Sequence, residues 1–155
     1  MKDTDEMLEF RNPLPGQEFE LAEVRARALK ESLSAVGRYD ETRVRRRLLD
    51  TYNNENTRAI YLNGLLVGFY AIERQESAYY LRHLYLDCPY QNSGIGHTVI
   101  KEIINSCRDY PIKLNALKLS KANAFYLKHG FTKTGEEEFD NLYEYSSKAR
   151  NTLIH

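Results

Sequence analysis

Residues 57–73 constrain the fold more than any other stretch of the chain. Two runs rich in Ile, Tyr, Val and Phe, Thr57 to Leu62 and Leu65 to Glu73, flank the dipeptide Asn63-Gly64. A tight two-residue hairpin turn needs positive φ at both central positions, which Asn and Gly adopt at least cost. The spacing therefore predicts two antiparallel strands joined by that turn. A third run, Tyr79 to Leu86, follows the polar turn Arg74-Gln75-Glu76-Ser77 and extends the pair into a meander.

Helical periodicity surrounds this meander. A short extended piece, Leu8 to Arg11, stops at the breaker cluster Asn12-Pro13-Leu14-Pro15-Gly16. From Gln17 to Val36 the residues Ala22, Ala26, Leu29, Leu33 and Val36 recur at helical spacing, and Gly37 stands where a helix end turns left-handed. A second helix is expected from near Asp40 to Tyr52, with Val44, Leu48 and Tyr52 on one face. After the meander, Gly94-Ile95-Gly96 opens a helix to about Cys107 with Ile100, Ile103, Ile104 and Cys107 inward, and Pro111 breaks it. Ile112 to Leu117 reads as a strand, which a right-handed crossover makes parallel to the third run of the meander. Ser120 is placed to cap a further helix through His129, Gly130 ends it, and strands near Phe131 to Glu137 and Asn141 to Ser146 follow. The order predicts one α/β (mixed α+β) domain over residues 1–155, a mostly antiparallel twisted sheet flanked by helices. No repeat, low-complexity tract or linker interrupts it.

Charge narrows the partners. Lys+Arg and Asp+Glu each number 22, so the net charge is zero and no global field draws the chain to nucleic acid or an anionic membrane. Cys88 and Cys107 make neither a metal-ligand spacing nor a disulfide framework and read as reduced thiols of a cytoplasmic protein. Met1 to Glu6 is acidic and lacks the basic start and apolar core of a signal peptide, and no apolar run approaches the ~18 residues of a membrane span. The expectation is a soluble, cytoplasmic protein without metal.

The stretch that carries chemistry is Leu84 to Thr98, where a strand feeds a short loop and the loop opens a helix at two glycines. Free N–H groups and the positive end of the helix dipole bind phosphate there, and glycine lets the phosphate approach. Ser93 to Thr98 is either a pyrophosphate cradle or a tight strand-to-helix turn without a ligand. No Lys-Ser/Thr follows the glycines as in a P-loop, and no third glycine follows as in a dinucleotide fingerprint.

Gln91-x-x-Gly94-x-Gly96 resembles the acetyl-CoA signature of the GNAT N-acetyltransferase superfamily. Downstream, Ala122 to Phe131 (Ala-Asn-Ala-Phe-Tyr-Leu-Lys-His-Gly-Phe) looks like that superfamily's last helix. The resemblance covers roughly residues 57 to 146. It implies a parallel strand pair splayed around acetyl-CoA as acetyl donor and a primary amine as acceptor. By the same likeness the backbones of Leu84 and Leu86 pair with pantetheine, while Gln91, Ser93, Gly94, Ile95, Gly96, His97 and Thr98 hold the pyrophosphate. Asn123 and Tyr126 then lie at the sulfur end. The likeness departs at Ser120, where many relatives carry Asn.

Acetyl transfer to an amine needs a base and an acid, because an alkylamine of pKa ~10.4 is neutral to only about 0.1% or less at pH 7. The resemblance makes Tyr126 the acid for the leaving thiolate; the plain alternative is a packing tyrosine. His83 is the best-placed candidate base, although strand alternation turns it to the face opposite Leu84, where a structural role is as apt. Some relatives use a Glu on the fifth strand, where this chain has Asn115; Glu73 or an ordered water are the reserves. Oxyanion stabilisation falls to a backbone N–H near Leu86. Arg43, Arg45, Arg46 and Arg47 read as a solvated helix face or as contacts for an acidic substrate or the cofactor's ribose phosphate. Glu136-Glu137-Glu138 reads as a charged sheet edge or an attractor for a cationic amine. Tyr79, Tyr80 and Tyr85 either pack or line a substrate slot. A non-catalytic acyl-CoA-binding regulatory module is the alternative function, a nucleotide-phosphate enzyme of another fold a third, and homodimerisation a weaker expectation.

Overall fold

The structure, a computed structural model, describes residues 7–146. The reading of Met1 to Glu6 lies outside the described residues. The elements follow as β1 (Leu8–Arg11), α1 (Glu18–Ala35), α2 (Glu41–Leu49), β2 (Thr57–Leu62), β3 (Leu65–Arg74), β4 (Tyr79–Leu86), α3 (Ile95–Ser106), β5 (Ile112–Leu117), α4 (Ala122–Lys128), β6 (Thr132–Glu136) and β7 (Asp140–Tyr145). The fold is mixed α/β, with four helices among the described residues. Its seven-stranded sheet has the order β1-β2-β3-β4-β5-β7-β6, mostly antiparallel, with the β4–β5 pair parallel.

The described chain gathers into two compact units, residues 7–71 with 83–93, and residues 72–82 with 94–146. In the first, β1 pairs with β2 and β2 with β3, both antiparallel. Asn63 (φ 51°) and Gly64 (φ 85°) form the hairpin turn that their sequence predicts. The turn also holds the start of β1: Met7 N donates to Asn63 Oδ1, and Asn63 N to Met7 O, both at 2.9 Å. α1 packs on α2, and Leu21, Ala22, Val24, Leu48 and Phe69 form a fully buried core flanked by Leu49, Tyr52, Leu66 and Tyr85.

Helix ends follow local chemistry. α1 closes in a Schellman motif: Gly37 (φ 71°) donates to Ser34 O and Arg38 N to Leu33 O. Asp40 caps α2 by accepting from the backbone N–H groups of Thr42 and Arg43. α2 stops at Leu49 instead of reaching Tyr52, because Asn53 accepts from Glu55 N and starts a separate 3-10 turn.

In the second unit, β4 and β5 pair in parallel at their first residues, Tyr79 with Ile112 and Tyr80 with Lys113. β7 lies between β5 and β6, antiparallel to both. The buried stripe of α3 is Ile95, Val99, Ile100, Ile103 and then Cys107, so Val99 takes the place expected for Ile104, which is half-buried. Ser120 does not cap α4. Lys121 occupies that position without a side-chain bond, and the chain enters the helix through Leu119, at φ 70°.

Candidate functional site

In the first unit the relevant chain is the end of β4 and the loop after it. β3 and β4 approach backbone to backbone at Gly68, where a Cβ would meet Tyr85 O at 2.3 Å and Leu86 Cα at 3.1 Å. Leu84 and Leu86 are half-buried. Gln91 Nε2 donates to Leu86 O at 2.9 Å, so the signature glutamine folds back on the strand end. Asp87 N donates to Val67 O at 2.8 Å, and Ser93 Oγ to Tyr90 O at 2.5 Å. These bonds hold the loop compactly as far as Ser93.

His83 belongs to an aromatic cluster of the same unit. Its ring lies 6.0 Å from Phe69 and 5.8 Å from Tyr85, and Phe69 lies 5.7 Å from Tyr85. The Arg25 guanidinium lies 5.6 Å from the Tyr85 ring centre and donates to Val44 O. His83 and Tyr85 therefore share one strand face by the period of two, the face opposite Leu84. Tyr85 packs rather than standing free.

In the second unit the chain resumes at Gly94, the N-cap of α3, at φ 89°. A Cβ there would meet nothing within 4 Å, so glycine answers to the positive φ rather than to crowding. The first intrahelical bond runs from Thr98 N to Gly94 O at 3.3 Å, so the N–H groups of Ile95, Gly96 and His97 point out of the helix start. His97 Nδ1 lies 2.9 Å from His129 Nε2. His129 Nδ1 donates to Phe125 O at 2.8 Å, which makes Nε2 the acceptor in the neutral ring.

Tyr126 is buried on α4, its ring 5.3 Å from both Phe125 and Phe131 and 6.3 Å from Tyr143. Asn123, one turn earlier, donates from Nδ2 to Leu117 O and Ser120 O, both at 2.9 Å, and lies 3.3 Å from Ser120 Oγ. Its Oδ1 accepts from Asn141 Nδ2 at 2.9 Å and from the Tyr143 hydroxyl at 2.7 Å.

Several of the remaining candidates are taken up by neighbours. Glu73 accepts from Arg82 Nε at 2.8 Å on the next strand. Asn115 Nδ2 lies 3.4 Å from Asp140 Oδ2. Tyr79 donates its hydroxyl to Asp109 at 3.0 Å, and desolvation, ahead of that hydrogen bond, raises its pKa. Tyr80 lies under Arg82, at 4.8 Å. Arg45 pairs with Glu23 at 2.7 Å, and Arg46 with Asp50 at 3.5 Å. Glu136 is bound by Lys133 and Lys118. Among the described residues no group of three or more His, Cys, Asp or Glu is placed to hold a metal ion, and no helix is long and apolar enough to cross a membrane.

The acetyltransferase (GNAT) domain family matches residues 24–145 of this sequence. No curated protein matches it significantly. Among solved structures, the chain is similar to the PaiA N-acetyltransferase of Thermoplasma acidophilum in complex with coenzyme A, at 19% identity and a TM-score of 0.74, over 90% of this chain and 99% of that one. It is also similar to apo YjaB of Escherichia coli, at 18% identity and 0.71, over 89% and 95%. An acetyltransferase of Thermus thermophilus matches at 17% and 0.68, over 89% and 96%. The fold is the GNAT acetyltransferase fold, and the chain belongs to that family.

Proposed function

We propose that this chain, as one N-acetyltransferase domain, moves the acetyl group of acetyl-CoA to a primary amine by direct attack within a ternary complex. The observation that carries the reading is the opening of α3. Gly94 in left-handed conformation presents the N–H groups of Ile95, Gly96 and His97 outward, as an anion-binding turn requires. The family match over residues 24–145 and the likeness to a coenzyme A complex support acetyl-CoA as the donor.

In this reading Gln91 and Ser93 to Thr98 hold the pyrophosphate, and the backbones of Leu84 and Leu86 pair with the pantetheine amides. The neutral amine attacks the thioester carbonyl, an N–C bond forms, and a backbone N–H near Leu86 stabilises the oxyanion. The C–S bond then breaks, and Tyr126 protonates the departing thiolate. The proton lost from the amine goes to His83, directly or through water. Glu73 is the poorer base, because Arg82 already holds its carboxylate. The neutral balance of charges singles out no acceptor class.

Calorimetric titration with acetyl-CoA tests the donor. A free-thiol assay with lysine, spermidine, short peptides and an aminoglycoside tests the transfer. Micromolar binding with amine-dependent release of CoA is the expected result. Binding with no turnover on any amine points to a regulatory acyl-CoA-binding module, and no binding removes the proposal.

A further inference from the structure

Asn123 offers a saturated side chain where a ligand contact is expected of it. A carboxamide has two N–H donors and two acceptor lone pairs. In Asn123 both sets are engaged by protein: Leu117 and Ser120 on the nitrogen side, Asn141 and Tyr143 on the oxygen side. The partners come from the end of β5, from the turn before α4 and from β7, so one side chain joins three segments.

The helix so pinned has little else to fix its start. α4 is seven residues long, with no side-chain cap at Lys121. Helices this short do not persist by themselves. Asn123 and Tyr126 stand at i and i+3, on one face of α4. Tyr143 touches both, its hydroxyl on Asn123 and its ring 6.3 Å from that of Tyr126. Phe131 meets the Tyr126 ring edge-on, at 5.3 Å and 64°.

We infer that Asn123 and Tyr143 are positioning residues, a buried polar clamp that sets the orientation of the Tyr126 phenol rather than a contact for acetyl-CoA. The inference rests on the reading of Tyr126 as the acid. A proton donor must be held to within a fraction of an ångström of its acceptor, and the clamp supplies that placement without touching the substrate.

Tyr143→Phe removes one hydroxyl and keeps the ring, and Asn123→Asp keeps the acceptor while removing the donors. Each variant is expected to lower kcat by ~3- to 10-fold while the Kd for acetyl-CoA stays within about twofold. In a Tyr126→Phe background the same substitutions should lower kcat no further, because they act through the group already removed. The rate is read with whichever amine of the panel above turns over fastest. An acceptor-independent readout is the carbon-13 signal of the Tyr126 Cζ in tyrosine-labelled protein, assigned by its loss in Tyr126→Phe. It should move in Asn123→Asp and stay in place in the surface variant Lys101→Ala. An unmoved Tyr126 signal, an unchanged kcat, a large loss of acetyl-CoA affinity, or equal losses in both backgrounds would each overturn the inference. A wild-type rate in Tyr126→Phe strikes instead at the assignment of the acid and takes the clamp's catalytic meaning with it.

Discussion

Arg27 grips Asp87 with both edges of its guanidinium, Nε to Oδ1 at 2.9 Å and Nη2 to Oδ2 at 2.8 Å, and so ties α1 to the residue that follows β4. The hydrogen bonds from Arg27 hold the Asp87 carboxyl below its ordinary pKa, aided by Cys88 N. A carboxyl lowered in this way stabilises the fold fully above its unfolded value, about 3.9, and ceases to do so as pH falls through the lower folded value. The half-exposed arginine keeps the pair modest, so Arg27→Ala should cost about 0.5–1 kcal/mol at pH 7. Urea titrations at pH 7 and pH 3 should show the difference from wild type shrinking at the lower pH.

Gly94→Glu should abolish acetyl-CoA binding. It places a negative charge and a long side chain at the opening of α3 and forces a non-glycine residue to φ 89°, at a cost of about 1 kcal/mol to the fold. Calorimetry should show no heat of binding, while far-UV circular dichroism keeps the wild-type shape. Unchanged affinity would mean that the turn holds no phosphate.

Tyr126→Phe should lower kcat by ~10- to 1,000-fold with little change in acetyl-CoA affinity. The ring would keep its contacts with Phe125, Phe131 and Tyr143, so any change in stability comes from the hydroxyl alone. Steady-state kinetics and a thermal melt on the same preparation separate the two effects.

Gly68→Ala should destabilise the chain by about 2–3 kcal/mol, since the new methyl meets the Tyr85 carbonyl at 2.3 Å and only backbone movement relieves it. The movement falls on Tyr85 and Leu86, so weaker acetyl-CoA binding should accompany it. A variant as stable as wild type would show that β3 and β4 do not approach this closely.

Leu119→Asn should stabilise the chain by about 0.5–1 kcal/mol. Leu119 is 90% exposed and sits at φ 70°, where asparagine rests more easily than leucine. A melting temperature at or below wild type would contradict this.

The strands of this fold are legible because their breakers are local. Leu8–Arg11, Thr57–Leu62, Tyr79–Leu86 and Ile112–Leu117 keep the bounds that their apolar runs and flanking Pro, Gly and Asn residues prescribe. The glycine at the opening of α3 is equally plain. What periodicity does not carry is partnership at a distance. That β7 enters beside β5 and leaves β6 at the edge depends on pairing, not on either strand's own residues. Asn123 meets Asn141 and Tyr143 of β7 with the whole of β6 lying between them in the chain, and nothing in its neighbours on the chain announces this. Glu73 reads as a spare base until Arg82 is found facing it. Ser120 has the chemistry of a cap, but the left-handed bend at Leu119 sends the helix start one residue further on.

The two thiols differ in a way that is useful at the bench. Cys107 is buried, and desolvation raises its pKa to about 11, so almost none of it is thiolate at neutral pH. Cys88 is exposed, directly after Asp87 at the end of β4. A maleimide dye added to the native protein should therefore attach at one position without any engineered cysteine. That position lies a few residues from the proposed phosphate turn, so the dye's emission offers a continuous signal for titrating unlabelled acetyl-CoA.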